Sequence, residues 1–242
     1  SSNEQSSDVA DYESDVLYGT VSGAVAVADA SDEFVNVGAG TYEESGITTQ
    51  TSGVTITAMD RDSKPVITSD ADDDILTISN DDIEVDGLTF NAQKDNAYSD
   101  IDVSGANNVF IVNSTFEGVG DATDRVAVDI TDNSDGQTNV QAVNINEYAI
   151  GVRAAGGSTD TPVVGDSTIT NNDVGISIGS SVAGTPTIVH SQIANNRVGV
   201  DIVDGANNAV VNFNDIQDNS EANIRAEGED LTEALANYYG KD

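Results

Sequence analysis

The chain has no cysteine, which excludes disulfides, thiolate metal sites and cysteine nucleophiles. It has one histidine and one methionine, so a copper or zinc centre lacks its ordinary ligands. Lysine and arginine are scarce: 8 against 43 aspartates and glutamates, a formal net charge of −35. No basic patch exists to neutralise phosphates, which argues against nucleic acid and anionic membrane surfaces as partners. No stretch approaches the roughly 20 apolar residues that span a bilayer, so membrane insertion is not expected. Tryptophan is absent and aromatics make up 5%, little material for stacking on sugars, although Tyr18, Tyr42, Tyr98 and Tyr148 remain available for it.

What is present is β-branched and acidic. The chain is 38% hydrophobic, rich in Val, Ile and Thr, and its acids lie between apolar positions rather than in blocks. That pattern describes a folded protein with an acidic surface, not a disordered acidic chain. Such a surface suits concentrated salt: near 1 M the Debye length is about 3 Å, so carboxylates barely repel while their hydration keeps the surface wet. The expectation is an extracellular or cell-surface protein of a halophile. A start at Ser1, without methionine or an apolar leader, fits a processed exported chain and equally a piece of a longer protein.

Internal repetition decides the fold. Ile145, Ile169, Ile193 and Ile216 form one column, spaced 24, 24 and 23 residues. Five residues before each stands Val140, Val164, Ile188 or Val211; six after stands Gly151, Gly175, Gly199 or Ala222. Two residues before stands Val143, Ser167, Ser191 or Asn214, and Asn171-Asn172, Asn195-Asn196 and Asp218-Asn219 mark turns. Phe90 and Phe116 continue the isoleucine column upstream, and Val103–Asn108 echoes Val203–Asn208 at 100 residues. Short strands separated by Gly, Asn and Asp bends cannot bury their apolar residues alone, but stacked coils bury them as continuous ladders. A β-sandwich would show hairpin turns without a register of 24. The prediction is all-β: a right-handed parallel β-helix of about seven to eight coils of 22–26 residues. Residues 19–242 form this single domain, with a short N-terminal capping helix at Val21–Ala30 and a short C-terminal cap at Leu231–Ala236. Residues 1–18 are read as an acidic polar tail, ordered by a partner if at all.

The segment Val35-Asn-Val-Gly-Ala-Gly-Thr-Tyr-Glu-Glu44, behind a short helix, resembles the first coil of pectate-lyase-like β-helix proteins. Asn237-Tyr-Tyr-Gly240 is similar to their closing "N-x-W-G", with tyrosine for tryptophan. The acidic bias resembles haloarchaeal exported cell-surface members. The resemblance implies the fold; the group includes lyases, hydrolases, esterases, adhesins and surface proteins, so it does not select an activity.

Function on such a rod lies on its outer faces. One outward column gives Asp129, Arg153, Ser177 and Asp201, with Ile224 breaking it in the last coil. Asp129 and Arg153 are neighbours there, read as a surface ion pair worth less than about 1 kcal/mol rather than a lyase-like site. The polygalacturonase and pectin methylesterase signatures are absent; Gly40–Glu44, shared with the latter, is read as first-coil structure. His190 shares a column with Asn113, Asp166 and Phe213 and is expected outward or at a bend. No cofactor is expected. The alternative is calcium on Asp70, Asp72, Asp73 and Asp74 or on Asp132 and Asp135, hard oxygen donors in acidic turns. Asn113-Ser114-Thr115 is an N-glycosylation sequon.

The expectation from sequence is therefore a non-enzymatic structural or adhesive subunit of a filament, appendage or surface layer. It self-associates through loops and through Val9, Tyr12, Val16, Leu17 and Tyr18 of the tail, added as a strand to a neighbour. The alternatives are a polysaccharide-binding or polysaccharide-degrading β-helix protein, with glycans as partners, and a surface protein of a halophilic virus.

Overall fold

A computed structural model describes residues 9–11, 17–29, 33–120, 122–131, 136–155, 161–180, 182, 184–203, 205–206, 208–227 and 231–240. Its strands are two to six residues long, and from Glu33 onward they stack into three parallel sheets. Each turn of about eight visits the sheets in the order A, B, C. Sheet A runs from Glu33–Val37 to Leu231–Glu233, sheet B from Thr41–Glu43 to Asp215–Gln217, and sheet C from Ile47–Thr48 to Ala222–Ala226.

The inward ladders are those expected. In sheet B, Tyr42, Ile67, Phe90, Phe116, Ile145, Ile169, Ile193 and Ile216 are in register. None is more than 3% exposed. The rings of Phe90 and Phe116 stack at 5.1 Å. Val85, Ile111, Val140, Val164, Ile188 and Val211 form the matching ladder of sheet A.

Two kinds of bend join the sheets, each with its own chemistry. From A to B the chain turns through one left-handed residue per coil: Gly87, Asn113, Ala142, Asp166, His190, Phe213 and Ala236 all have φ between 51° and 76°. After five of these bends the next residue is a serine or asparagine whose side chain satisfies the neighbouring coil's backbone, Ser114 Oγ accepting from the Leu88 amide. The Val143 amide donates to Ser167 Oγ, that of Ser167 to Ser191 Oγ, that of Ser191 to Asn214 Oδ1, and that of Asn214 to Asn237 Oδ1. From B to C an asparagine ladder does the same work: the amides of Tyr148, Asn172 and Asn196 donate to Oδ1 of Asn172, Asn196 and Asn219, each at 2.9 Å. Buried backbone groups are costly without partners, and these side chains supply them. The sequence echo is structural too. Gly105 and Gly205, and Asn108 and Asn208, are left-handed, while Ala106 and Ala206 are fully buried.

The glycine column of sheet C reflects close approach, not backbone strain. A Cβ on Gly175 would lie 2.6 Å from the Gly199 carbonyl oxygen. Gly175→Ala is expected to destabilise by about 1–3 kcal/mol, because backbone must move. A urea midpoint unchanged in molar salt would contradict this.

The ends depart from expectation. The helix is Val21–Val27; Thr20 Oγ1 accepts from the Gly23 amide, and the Glu44 carboxylate accepts from the amides of Val21 and Ser22 at 2.8 Å. The Thr-Tyr-Glu-Glu segment is thus first-coil structure: Tyr42 faces inward and Glu44 ties the helix down. Val9–Asp11 pairs antiparallel with Glu33–Val37 of its own chain, and Leu17–Tyr18 pairs with Val9–Asp11. Of the residues given an assembly role, Val9, Leu17 and Tyr18 lie in these strands, and Tyr12 and Val16 lie outside the described residues. At the other end Leu231–Glu233 continues sheet A and Tyr238 bridges to Asp215, so the C-terminal cap is a partial further coil.

Candidate functional site

Sheet C carries an outward column of chemistry-bearing side chains. In register from the N-terminal side it reads Thr77, Asp102, Asp129, Arg153, Ser177, Asp201 and Arg225. The sequence column of Asp129, Arg153, Ser177 and Asp201 is therefore real, but its expected end is corrected: Arg225, not Ile224, follows Asp201. The bend between Gln217 and Ala222 holds residues 218–221, one more than the bend between Ala194 and Val198, and this restores the spacing of 24.

Arg153 grips Asp129 with two bonds, Nε–Oδ1 at 2.8 Å and Nη2–Oδ2 at 2.5 Å. The Asp129 side chain is only 7% exposed, which corrects the reading of an open surface pair. Asp102, on the rung before, is half-buried. Burial first, and then the carboxylates of Asp74 and Asp129, push its pKa up to about 6, against the pull of Thr131 and Arg153. Asp74 is raised as well, chiefly by burial, although it accepts from the Ser99 amide at 2.6 Å. Neighbouring outward positions on adjacent strands lie about 4.8 Å apart. Two carboxyls in different environments therefore stand side by side.

Beside this column, at the corner between sheets B and C, lies an open cleft of about 450 Å³ lined by Ala122, Thr123, Tyr148, Asn171, Asn172, Asp173 and Arg197. Arg197 binds Asp173 at 2.6 and 2.9 Å and also pairs with Glu221, which accepts from Arg225. Beneath the cleft Arg125 and Asp100, both fully buried, pair at 2.8 Å. The Tyr148 hydroxyl donates to Asp100 at 2.5 Å, and Arg125 also donates to Asn96 at 2.7 Å. Burial pushes Asp100 up to about 6, with Arg125 and Tyr148 opposing; burial also raises Tyr148 well above its ordinary value.

The remaining candidates are dispersed. Asp70 and Asp73 are exposed, Asp72 pairs with Lys94, and Asp74 turns to Ser99. Among the described residues no three acids converge on a metal-sized site; Asp132 and Asp135 lie outside those residues. Asn113 sits at a left-handed bend, and its Nδ2 donates to Asp86 at 2.8 Å. A glycan there would have to replace that bond. His190 is exposed at the equivalent bend, its ring 5.7 Å from Phe213. Of the tyrosines considered for sugar stacking, Tyr42 and Tyr148 are buried; the exposed aromatics include Phe34, Phe110, Phe213, Tyr98, Tyr238 and Tyr239. No helix among the described residues is long and apolar enough to cross a membrane.

Solved structures share this architecture. A pectin methylesterase in complex with a hexasaccharide superimposes with a TM-score of 0.65 at 11% identity, over 92% of this chain and 85% of that one. The pectin methylesterase PemA from Erwinia chrysanthemi gives 0.59 at 11% identity, over 95% and 87%. No curated protein sequence matches the chain. The expectation of a non-enzymatic protein is overturned by this finding, since the structures that share the fold over nearly its whole length are enzymes. Residues 45–216 match the family described as the right handed beta helix region, and the chain belongs to that family.

Proposed function

We propose that the chain is a hydrolase acting on a polysaccharide outside the cell, with its chemistry on the outer face of sheet C. The observation that carries the reading is the pair Asp102 and Asp129. They are adjacent rungs in register, one pushed up to about 6 by burial and the other bound by Arg153. Neighbouring titratable groups in contrasting environments are the pattern of an acid paired with a base or nucleophile. Asp102, protonated, delivers its proton to the leaving oxygen. At one rung's separation Asp129, oriented by Arg153, attacks the sugar carbon as the bond to the leaving oxygen breaks, and water then releases the sugar from Asp129 with Asp102 acting as base. Fold similarity to enzymes of a polysaccharide supports the substrate class.

The test is turnover of a polysaccharide panel in molar salt. Asp102→Asn and Asp129→Asn should each lower kcat by about 10²–10⁴. Arg153→Ala should reduce kcat, and Arg225→Ala, three rungs away, should leave it within a few-fold. Because the proton donor titrates near 6, activity should decline above about pH 6, and that limb should vanish in Asp102→Asn. Equal activity of wild type and both aspartate variants would rule the assignment out.

A further inference from the structure

Sheet A has an outward face unlike the other two. One of its columns begins Phe34, Thr55, Glu84, Phe110, Asn139 in register. Phe34 and Phe110 are 47% and 43% exposed, three rungs and hence about 14 Å apart. Between them lies an open cleft of about 240 Å³, which Thr55, Glu84, Asp82 and Asn108 also line. No lysine or arginine lines it. On the rung after Phe110, Asn139 is 5% exposed and its Nδ2 has no hydrogen-bond partner.

We propose that this cleft binds uncharged pyranose units of a polysaccharide, as a docking site separate from the chemistry on sheet C. It deepens the polysaccharide reading and rests on it for the ligand class. Aromatic faces offset by two polar rungs suit sugars, whose rings have apolar faces and hydroxyl edges: the phenylalanines meet the faces, and Thr55, Asp82, Glu84 and Asn108 meet the edges. Glu84 and Asp82 accept from hydroxyls. The same carboxylates, with no lysine or arginine in the lining, leave the acid groups of a polyuronate without a cationic partner. A second copy of the chain fits less well. The ribbon of outward positions is about 34 Å long but only about 7 Å between its two columns, well below the roughly 800 Å² per partner of a stable interface.

The experiment is affinity electrophoresis of the full chain in molar salt. The gels contain neutral glucan, mannan, xylan or galactan, or a polyuronate; turnover of a short oligosaccharide is followed in parallel. At least one neutral polymer should retard the protein and the polyuronate should not. Phe34→Ala and Phe110→Ala should each weaken retardation at least tenfold. Phe213→Ala, an exposed aromatic elsewhere, should change it less than twofold, and oligosaccharide turnover should be unchanged in all three. Three results overturn the proposal: no neutral polymer retards the protein, the phenylalanine variants bind as wild type does, or sedimentation shows a dimer that Phe110→Ala dissolves. Failure of the catalytic assignment is distinct, since it appears as turnover indifferent to Asp102 and Asp129 while retardation persists.

Discussion

Arg125→Ala should cost about 3–5 kcal/mol in urea unfolding at pH 7, the loss expected when one partner of a buried ion pair is removed. Arg125 and Asp100 are both fully buried, so no water replaces the guanidinium. Asp100 would keep only the Tyr148 hydroxyl. Arg125 also closes the bend above it, where the amides of Thr123, Asp124 and Arg125 donate to the Asp95 carboxylate. The pair Asp100→Asn with Arg125→Met should cost much less than Arg125→Ala alone, because no charge is stranded. The pH dependence follows from direction. Burial raises Asp100 in the folded state to about 6, above its ordinary 3.8. Between those values the folded chain holds the proton more tightly than the unfolded chain. Stability from this group is therefore greatest below about pH 4, falls as pH rises toward 6, and is level above. Asp102, also raised to about 6, acts in the same direction. Asp173 acts oppositely, since the Arg197 bond lowers it, and its contribution is lost on acidification below the ordinary carboxylate range. In Arg125→Ala the acid-side gain should grow. A variant within 1 kcal/mol of wild type at pH 7 would contradict the account.

The second large effect concerns salt. Moving the protein from about 1 M to about 0.01 M salt lengthens the Debye length from about 3 Å to about 30 Å. Carboxylates on neighbouring coils then repel across the whole rod, with 43 acids against 8 bases. Every arginine among the described residues is already engaged by a carboxylate, so little positive charge is left to compensate. Thermal unfolding should fall by at least about 10 °C, equivalent to roughly 3–4 kcal/mol for a chain of this size. Calorimetry across a sodium chloride series decides it; a flat Tm would remove the argument for a surface adapted to brine.

The fold was legible because an inward ladder demands an aliphatic or aromatic residue at each coil, and Ile145, Ile169, Ile193 and Ile216 supply one at nearly constant spacing. The site was legible only where that spacing holds. Asp129 and Arg153 are 24 apart, whereas Asp102 precedes Asp129 by 27, across an irregular loop. The buried group was missed for a different reason. Arg125 and Asp100 are 25 residues apart, and Tyr148 and Asp100 are 48 apart, and charged residues on a polar chain are read as solvated. One signal was present: Asp100 shares its column with Ala127, Gly151, Gly175 and Gly199, small residues that mark a crowded inward position. The tail could not be read, since strands of two and three residues carry no period. The proposed catalytic pair was hidden by abundance, as any two of 43 acids look alike until their burial is known.

The left-handed bends between sheets A and B separate appearance from stability. At these bends the residue takes φ near 50–75°, while a serine or asparagine after Asn113, Asp166, His190, Phe213 and Ala236 holds the neighbouring backbone. The bend position itself tolerates Gly, Asn, Ala, Asp, His and Phe in this one chain. It forms a graduated rail along the rod, one mark about every 4.8 Å, on which side chains can be exchanged with little disturbance of the core. A rod of this kind can change what it shows to its surroundings faster than it changes its shape.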